Sequence, residues 1–118
     1  MIFVMKINEV QKMELKDLVR IDFEPLENHA MLISDFSEVY EYKDNKKTEK
    51  IRGYKAEFVI AEGDAKGLRF NVEFRKLPDA ELMQKYVIDF DKETSSVYTQ
   101  KGKFGVQFKL VANGLLAE

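Results

Sequence analysis

A chain of 118 residues with a net charge of −2 is sized for one domain. The mild acidity argues against a strongly basic, non-specific duplex binder, because such binding is driven by neutralising phosphates, while a local basic groove stays compatible with it. The lack of cysteine excludes disulfides and thiolate metal sites, and no run of about 18 apolar residues offers a membrane span.

The N-terminal residues 1–28 read as an extension ahead of a compact region, residues 29–118. Met1–Lys6 is apolar but shorter than a signal peptide and follows no positive stretch, so a cytoplasmic setting is expected. Ile2–Ile7 suits a strand. Asn8 suits the cap of a short helix through Leu18, with Val10 and Met13 inward. Val19–Glu24 alternates as a strand would, with Val19, Ile21 and Phe23 on one face.

Beyond residue 30 the pattern is clearer. Met31–Tyr42 is a long β-rich stretch, closed by the polar turn cluster Asp44-Asn45-Lys46-Lys47. Ile51–Glu62 predicts a second strand, with Ala56, Phe58 and Ile60 on the buried face. Gly63 and Gly67 bracket a hairpin loop. In Leu68–Arg75, Leu68, Phe70, Val72 and Phe74 alternate with Arg69, Asn71, Glu73 and Arg75, as expected for a sheet with one face on a core. Pro78–Tyr86 then predicts one or two helical turns, since proline and acids suit a helix N-terminus. Val87–Phe90 and Val97–Thr99 are short strands. The last strand should carry Phe104, Val106, Phe108, Leu110 and Ala112 on one face and end at Asn113-Gly114.

Three strands joined by hairpins, a short helix between strands three and four, and two more strands make the order of an OB-fold, a five-stranded Greek-key barrel. The class is mostly β. Phe58, Ile60, Phe70, Val72, Phe74, Val106 and Phe108 are expected to be buried together.

Val39-Tyr40-Glu41-Tyr42-Lys43-Asp44, Gly53-Tyr54-Lys55-Ala56-Glu57-Phe58-Val59-Ile60 and Phe108-Lys109-Leu110-Val111-Ala112-Asn113-Gly114-Leu115 resemble segments of small OB-fold single-stranded DNA-binding proteins. The resemblance is to those of Gram-positive, lactococcal-type phages and to related helicase-assisting proteins of conjugative elements. It spans Val39–Leu115, about two thirds of the chain. It implies single-stranded DNA as the ligand, and replication or recombination proteins as partners. The chain departs from bacterial single-stranded DNA-binding proteins in its ending, Gly114-Leu115-Leu116-Ala117-Glu118, which is no acidic tail. The apolar N-terminal segment adds the expectation of a homodimer.

Single-strand binders combine a positive groove with aromatic rings on which bases stack. In an OB-fold the groove crosses strands two and three between the first and last hairpin loops. The first loop region carries Tyr40, Tyr42, Lys46, Lys47, Arg52 and Tyr54, and the second carries Tyr98, Lys101 and Lys103. The polar face of the third strand adds Arg69 and Arg75. Each residue also has a plainer reading. Lysines at hairpin tips are usually solvated and discourage edge-to-edge aggregation, and strand tyrosines are commonly half-buried. Tyr54 shares parity with Ala56 and Phe58, so without a bulge at Gly53 it faces the core.

Catalytic patterns are poorer. His29 is the single histidine and reads as a surface residue. Asp89 and Asp91 sit on one side of a strand, as an acid/base or magnesium pair might, but such a pair commonly just flanks a strand end. Gly63 and Gly67 are not a phosphate loop. The expectation is a non-enzyme without cofactor. Its alternative to DNA binding is a structural or protein-interaction barrel, for example a phage assembly component.

Overall fold

The computed structural model describes residues 18–99 and 106–118. The expected strand at 2–7, the helix from Asn8, and Lys101, Lys103 and Phe104 lie outside the described residues. A one-turn helix α1 (Glu24–Glu27) precedes strands β1 (Ala30–Leu32), β2 (Ser37–Lys43), β3 (Lys46–Ile60), β4 (Arg69–Phe74), β5 (Lys85–Phe90), β6 (Ser96–Tyr98), β7 (Gln107–Lys109) and β8 (Val111–Ala117).

One sheet has the order β1-β5-β8-β4-β3-β2, and β1 also pairs with β3, which closes it. Both β1 and β2 run antiparallel to β3, so together they form the first barrel strand, broken at residues 33–36. The break is held by Ile33 N–H donating to the Glu57 carbonyl at 3.0 Å and by Glu57 N–H donating to Ser34 Oγ at 2.8 Å. All barrel pairings are antiparallel except that of β4 with β8, which is parallel. Taking β1 with β2 as one strand, the barrel order is first, second, third, fifth, fourth and back to the first. This is a closed five-stranded, OB-fold-like barrel.

Period-two patterning fills the barrel as anticipated. Ala56, Phe58, Ile60, Val72 and Phe74 are all buried, joined by Leu32, Ile88 and Phe90 from β1 and β5. The Phe74 ring centroid lies 6.1 Å from that of Phe58 and 5.8 Å from that of Phe36. Burying such side chains stabilises by about 1.5–3 kcal/mol each.

Several expectations need correction. Pro78–Tyr86 is not helical: residues 82–83 form a turn, Met83 has a φ of 67°, and Tyr86 lies in β5. Two backbone bonds to β1 outweigh a helix this short, Met83 N–H to the Leu32 carbonyl at 2.7 Å and Leu32 N–H to the Gln84 carbonyl at 3.1 Å. The same proline-plus-acid signature does start a helix at α1, with Pro25 in its first turn and Leu26 buried. Val19–Glu24 is accordingly not a strand, though Ile21 and Phe23 do pack on the core. The expected last strand is two. It breaks at Leu110, where β7 leaves the barrel to pair with β6 in a separate ribbon. Asn113-Gly114 does not end β8, which continues to Ala117 against β5. Leu68 and Phe108 are both 49 % exposed, and Phe70 and Val106 are half-buried, so the core is smaller than expected at this corner.

Candidate nucleic-acid interface

The outer face of β3 and β4 is polar because the inner parity is taken by the core. Lys55, Asn71 and Glu73 stand on it, and the β6–β7 ribbon rises beside it. Between them runs a groove of about 580 Å³, lined by Val39, Arg52, Lys55, Asn71 and Glu73 on one side and Ser96, Tyr98, Gln107, Phe108, Lys109 and Leu110 on the other. A second hollow of about 410 Å³ shares Asn71, Gln107, Phe108 and Leu110 and continues toward Ile21, Pro25, Leu68 and Arg69. Phe108 therefore borders both hollows. It and Tyr98, 41 % exposed, stand on opposite faces of the ribbon, since Tyr98 pairs with Gln107 and Phe108 with Val97. Among the described residues Lys55 and Lys109 have no acidic partner.

The ribbon is fixed where it leaves the barrel. Leu110 C=O accepts from Glu73 N–H and Val111 C=O from Asp91 N–H, at 2.8 and 2.7 Å. Ser95 Oγ donates to the Asp91 carbonyl at 2.8 Å and accepts from Val111 N–H at 2.9 Å. Buried on both sides of the break, Leu110 and Val111 anchor the turn that leaves Phe108 outside.

The arginines of this face are already engaged. Arg52 Nη2 lies 2.6 Å from Glu73 Oε1. Arg69 holds Glu57, with Nε donating at 3.1 Å. Arg75 Nη2 lies 2.8 Å from Asp91 Oδ2 and 3.2 Å from Thr94 Oγ1. The Arg75 guanidinium, and then the Thr94 hydroxyl, hold the Asp91 carboxyl below its usual range. Asp91 also accepts from the Glu93 and Thr94 amides, so it organises a turn rather than pairing with Asp89 for chemistry.

The other singled-out residues are distributed as follows. Arg52 and Tyr98 line the groove, and Arg69 lines its continuation. Tyr40, Tyr42, Lys46 and Lys47 stand farther out on the β2–β3 hairpin and do not line it. That hairpin turns at Asp44 and Asn45, with φ of 53° and 63°, the left-handed values two-residue hairpins favour. Tyr42 is 68 % exposed, whereas Tyr40 is half-buried under Lys47, whose Nζ sits 4.3 Å from the ring centroid. The Tyr40 hydroxyl donates to the Glu38 carboxylate, and that bond and charge push its pKa up. Tyr54 keeps core-side parity. The register irregularity opposite Val39 and Tyr40 falls at Arg52, before Tyr54, and pairing with β4 is regular from Tyr54 onward. Arg75 lies just past the end of β4, on Asp91.

Phe108, Lys55, Lys109 and Gln107 complete the groove although sequence reasoning did not select them. The usable signal was Leu110-Val111-Ala112, three consecutive apolar residues that a simple alternating strand does not bury together. His29 is also less isolated than its sequence context suggests. Its Nδ1 lies 3.1 Å from Glu62 Oε2 and contacts the Glu118 carboxylate, tying the end of β8 to the loop after β3. These three groups could in principle ligate a cation, but Lys85 Nζ, 3.5 Å from Glu62, already supplies positive charge there.

Compared with protein-family models, curated proteins and solved structures, the chain matches none of them. Among the described residues no helix is long and apolar enough to cross a membrane.

Proposed function

We propose that the chain binds single-stranded DNA without sequence specificity, stacking bases on Tyr98 and Phe108 and holding phosphates with Lys55 and Lys109. The carrying observation is that Tyr98 and Phe108, both exposed, border one groove across β3 and β4 together with Lys55 and Lys109, which have no acidic partner among the described residues. Stacking tolerates any base because every base has a π-face, and the lysines supply the sequence-independent electrostatic part. This is also the face OB-folds use for oligonucleotides. The resemblance to phage and conjugative-element proteins supports the same reading. It extends it to a cytoplasmic, non-catalytic role in replication or recombination, with a second copy of the chain or replication proteins as partners.

The test is fluorescence anisotropy of an unstructured oligonucleotide at low salt, repeated as salt rises. Contact with about three to five phosphates implies a log–log slope of roughly −2 to −3.5. No binding at the lowest salt would favour the second reading, a protein-interaction barrel. One observation supports that reading: Arg52, Arg69 and Arg75 each already hold a carboxylate.

A further inference from the structure

We infer that Glu73 is a built-in competitor for the phosphate that Arg52 would otherwise hold, and so sets how tightly the groove binds single strands. The inference rests on the single-strand reading above. Arg52 and Glu73 line the same groove, and their side chains meet at 2.6 Å. Carboxylate and phosphate present the same kind of paired oxygens to a guanidinium. The free groove thus already contains an anion on its arginine.

The two partners differ in freedom. The Glu73 side chain is only 12 % exposed, against 42 % for Arg52. Its backbone is clamped on both sides, pairing with Lys55 on β3 and with Val111 on β8, with its N–H on the Leu110 carbonyl. Glu73 therefore stays on the groove floor when a strand arrives. A phosphate can engage Arg52 only by displacing a carboxylate that remains nearby and repels it. Arg52 then adds little to native binding, and removing the charge of Glu73 releases it.

The experiment measures oligonucleotide binding by the full chain and by Glu73→Gln, Arg52→Ala and the double variant, across a salt series. Glu73→Gln is expected to bind about tenfold tighter, the scale of a hydrogen bond to a charged group. Its salt slope should steepen by about 0.7, one extra phosphate contact on a single strand. Arg52→Ala alone should change affinity less than about twofold, and the gain from Glu73→Gln should largely vanish in its background, the signature of coupled residues. Thermal melts establish that each variant is folded, and if Glu73→Gln is not, the near-silence of Arg52→Ala carries the test. Unchanged affinity of folded Glu73→Gln overturns the inference while leaving single-strand binding in place. An equal gain with and without Arg52 also overturns it, since that is mere removal of charge. A tenfold loss in Arg52→Ala alone does the same. If neither the native chain nor Glu73→Gln binds, the inference and the proposed function fall together.

Discussion

Phe74 and Phe108 are the same side chain in opposite environments. Phe74 on β4 is fully buried, between Phe36 and Phe58. Phe108 on β7 is 49 % exposed and borders both hollows of the groove. The barrel strand has neighbours on both edges and a closed interior, so every inward position meets another apolar group. The two-stranded ribbon encloses no interior of its own, and Phe108 rests half exposed beside Leu68 and Leu110 rather than sealed among other rings. Whether an aromatic is core or exposed is thus decided by what its strand packs against, not by its own hydrophobicity.

That contrast can be broken most directly by truncation. Phe74→Ala should lower stability by about 3–5 kcal/mol, because a cavity adds to the lost transfer energy. Phe108→Ala should change it by less than about 1 kcal/mol, as at most surface positions. Urea denaturation of the two variants measures both, and similar losses would mean that the ribbon packs as part of the core.

Next in size is the joint between barrel and hairpin arm. A Cβ on Gly53 would lie 2.4 Å from the Phe74 carbonyl oxygen, a backbone atom with little room to retreat. Gly53→Ala is expected to cost about 1–3 kcal/mol, in the range of overpacked sites. A melting temperature equal to that of the native chain would show that β3 can move off β4 there.

Binding should separate the regions in the reverse sense. Tyr98→Ala or Phe108→Ala should weaken oligonucleotide binding about 5–150-fold, the stacking worth of one base, with stability and salt slope nearly unchanged. Tyr98→Phe should be almost silent, since the π-face survives. Tyr42→Ala, outside the groove, should have a smaller effect than either. An equal loss at Tyr42 would move the contact surface out onto the arm.

Much of the barrel was legible because its signals are local. The alternation in residues 69–74, the Asp44-Asn45 turn, and the glycine-bracketed loop, where Gly63 and Gly67 take φ of 90° and 91°, all require only neighbouring residues. What was not legible depends on register. Arg69 and Arg75 looked like a basic line because their partners, Glu57 and Asp91, lie on other segments of the chain. Pro25 and Pro78 carry the same helix-start chemistry. Only the second lies where the chain can form backbone bonds with β1, and there the helix is lost. Phe108 was assigned to the core because the run looks continuous; Leu110 and Ala112 are buried as that run predicts, but β7 leaves the barrel before Leu110 to pair with β6 and takes Phe108 with it.

The smallest expected effect concerns the hinge between the two regions. Asp91 is held from both sides, by Arg75 on one and by the turn amides of Glu93 and Thr94 on the other. The Arg75 guanidinium, and then the Thr94 hydroxyl, hold its carboxyl below the ordinary carboxylate range. A depressed folded pKa means that this contribution is fully present above the unfolded value and is lost as pH falls through the folded one. Arg75→Gln should therefore raise the titration midpoint of the Asp91 carboxyl, read by NMR of its side-chain carbon. It should lower the melting temperature at neutral pH, where Asp91 is charged in both variants. The gap between native and variant should close as pH falls below about 4, because protonated Asp91 no longer needs the guanidinium. The shift should be small, since exposed ion pairs contribute little, and high salt should shrink it further. If the gap stays constant down to strong acid, Arg75 supports the hinge through packing of its stem rather than through charge. The ribbon would then owe its position to Ser95 and the backbone bonds of Leu110 and Val111 alone.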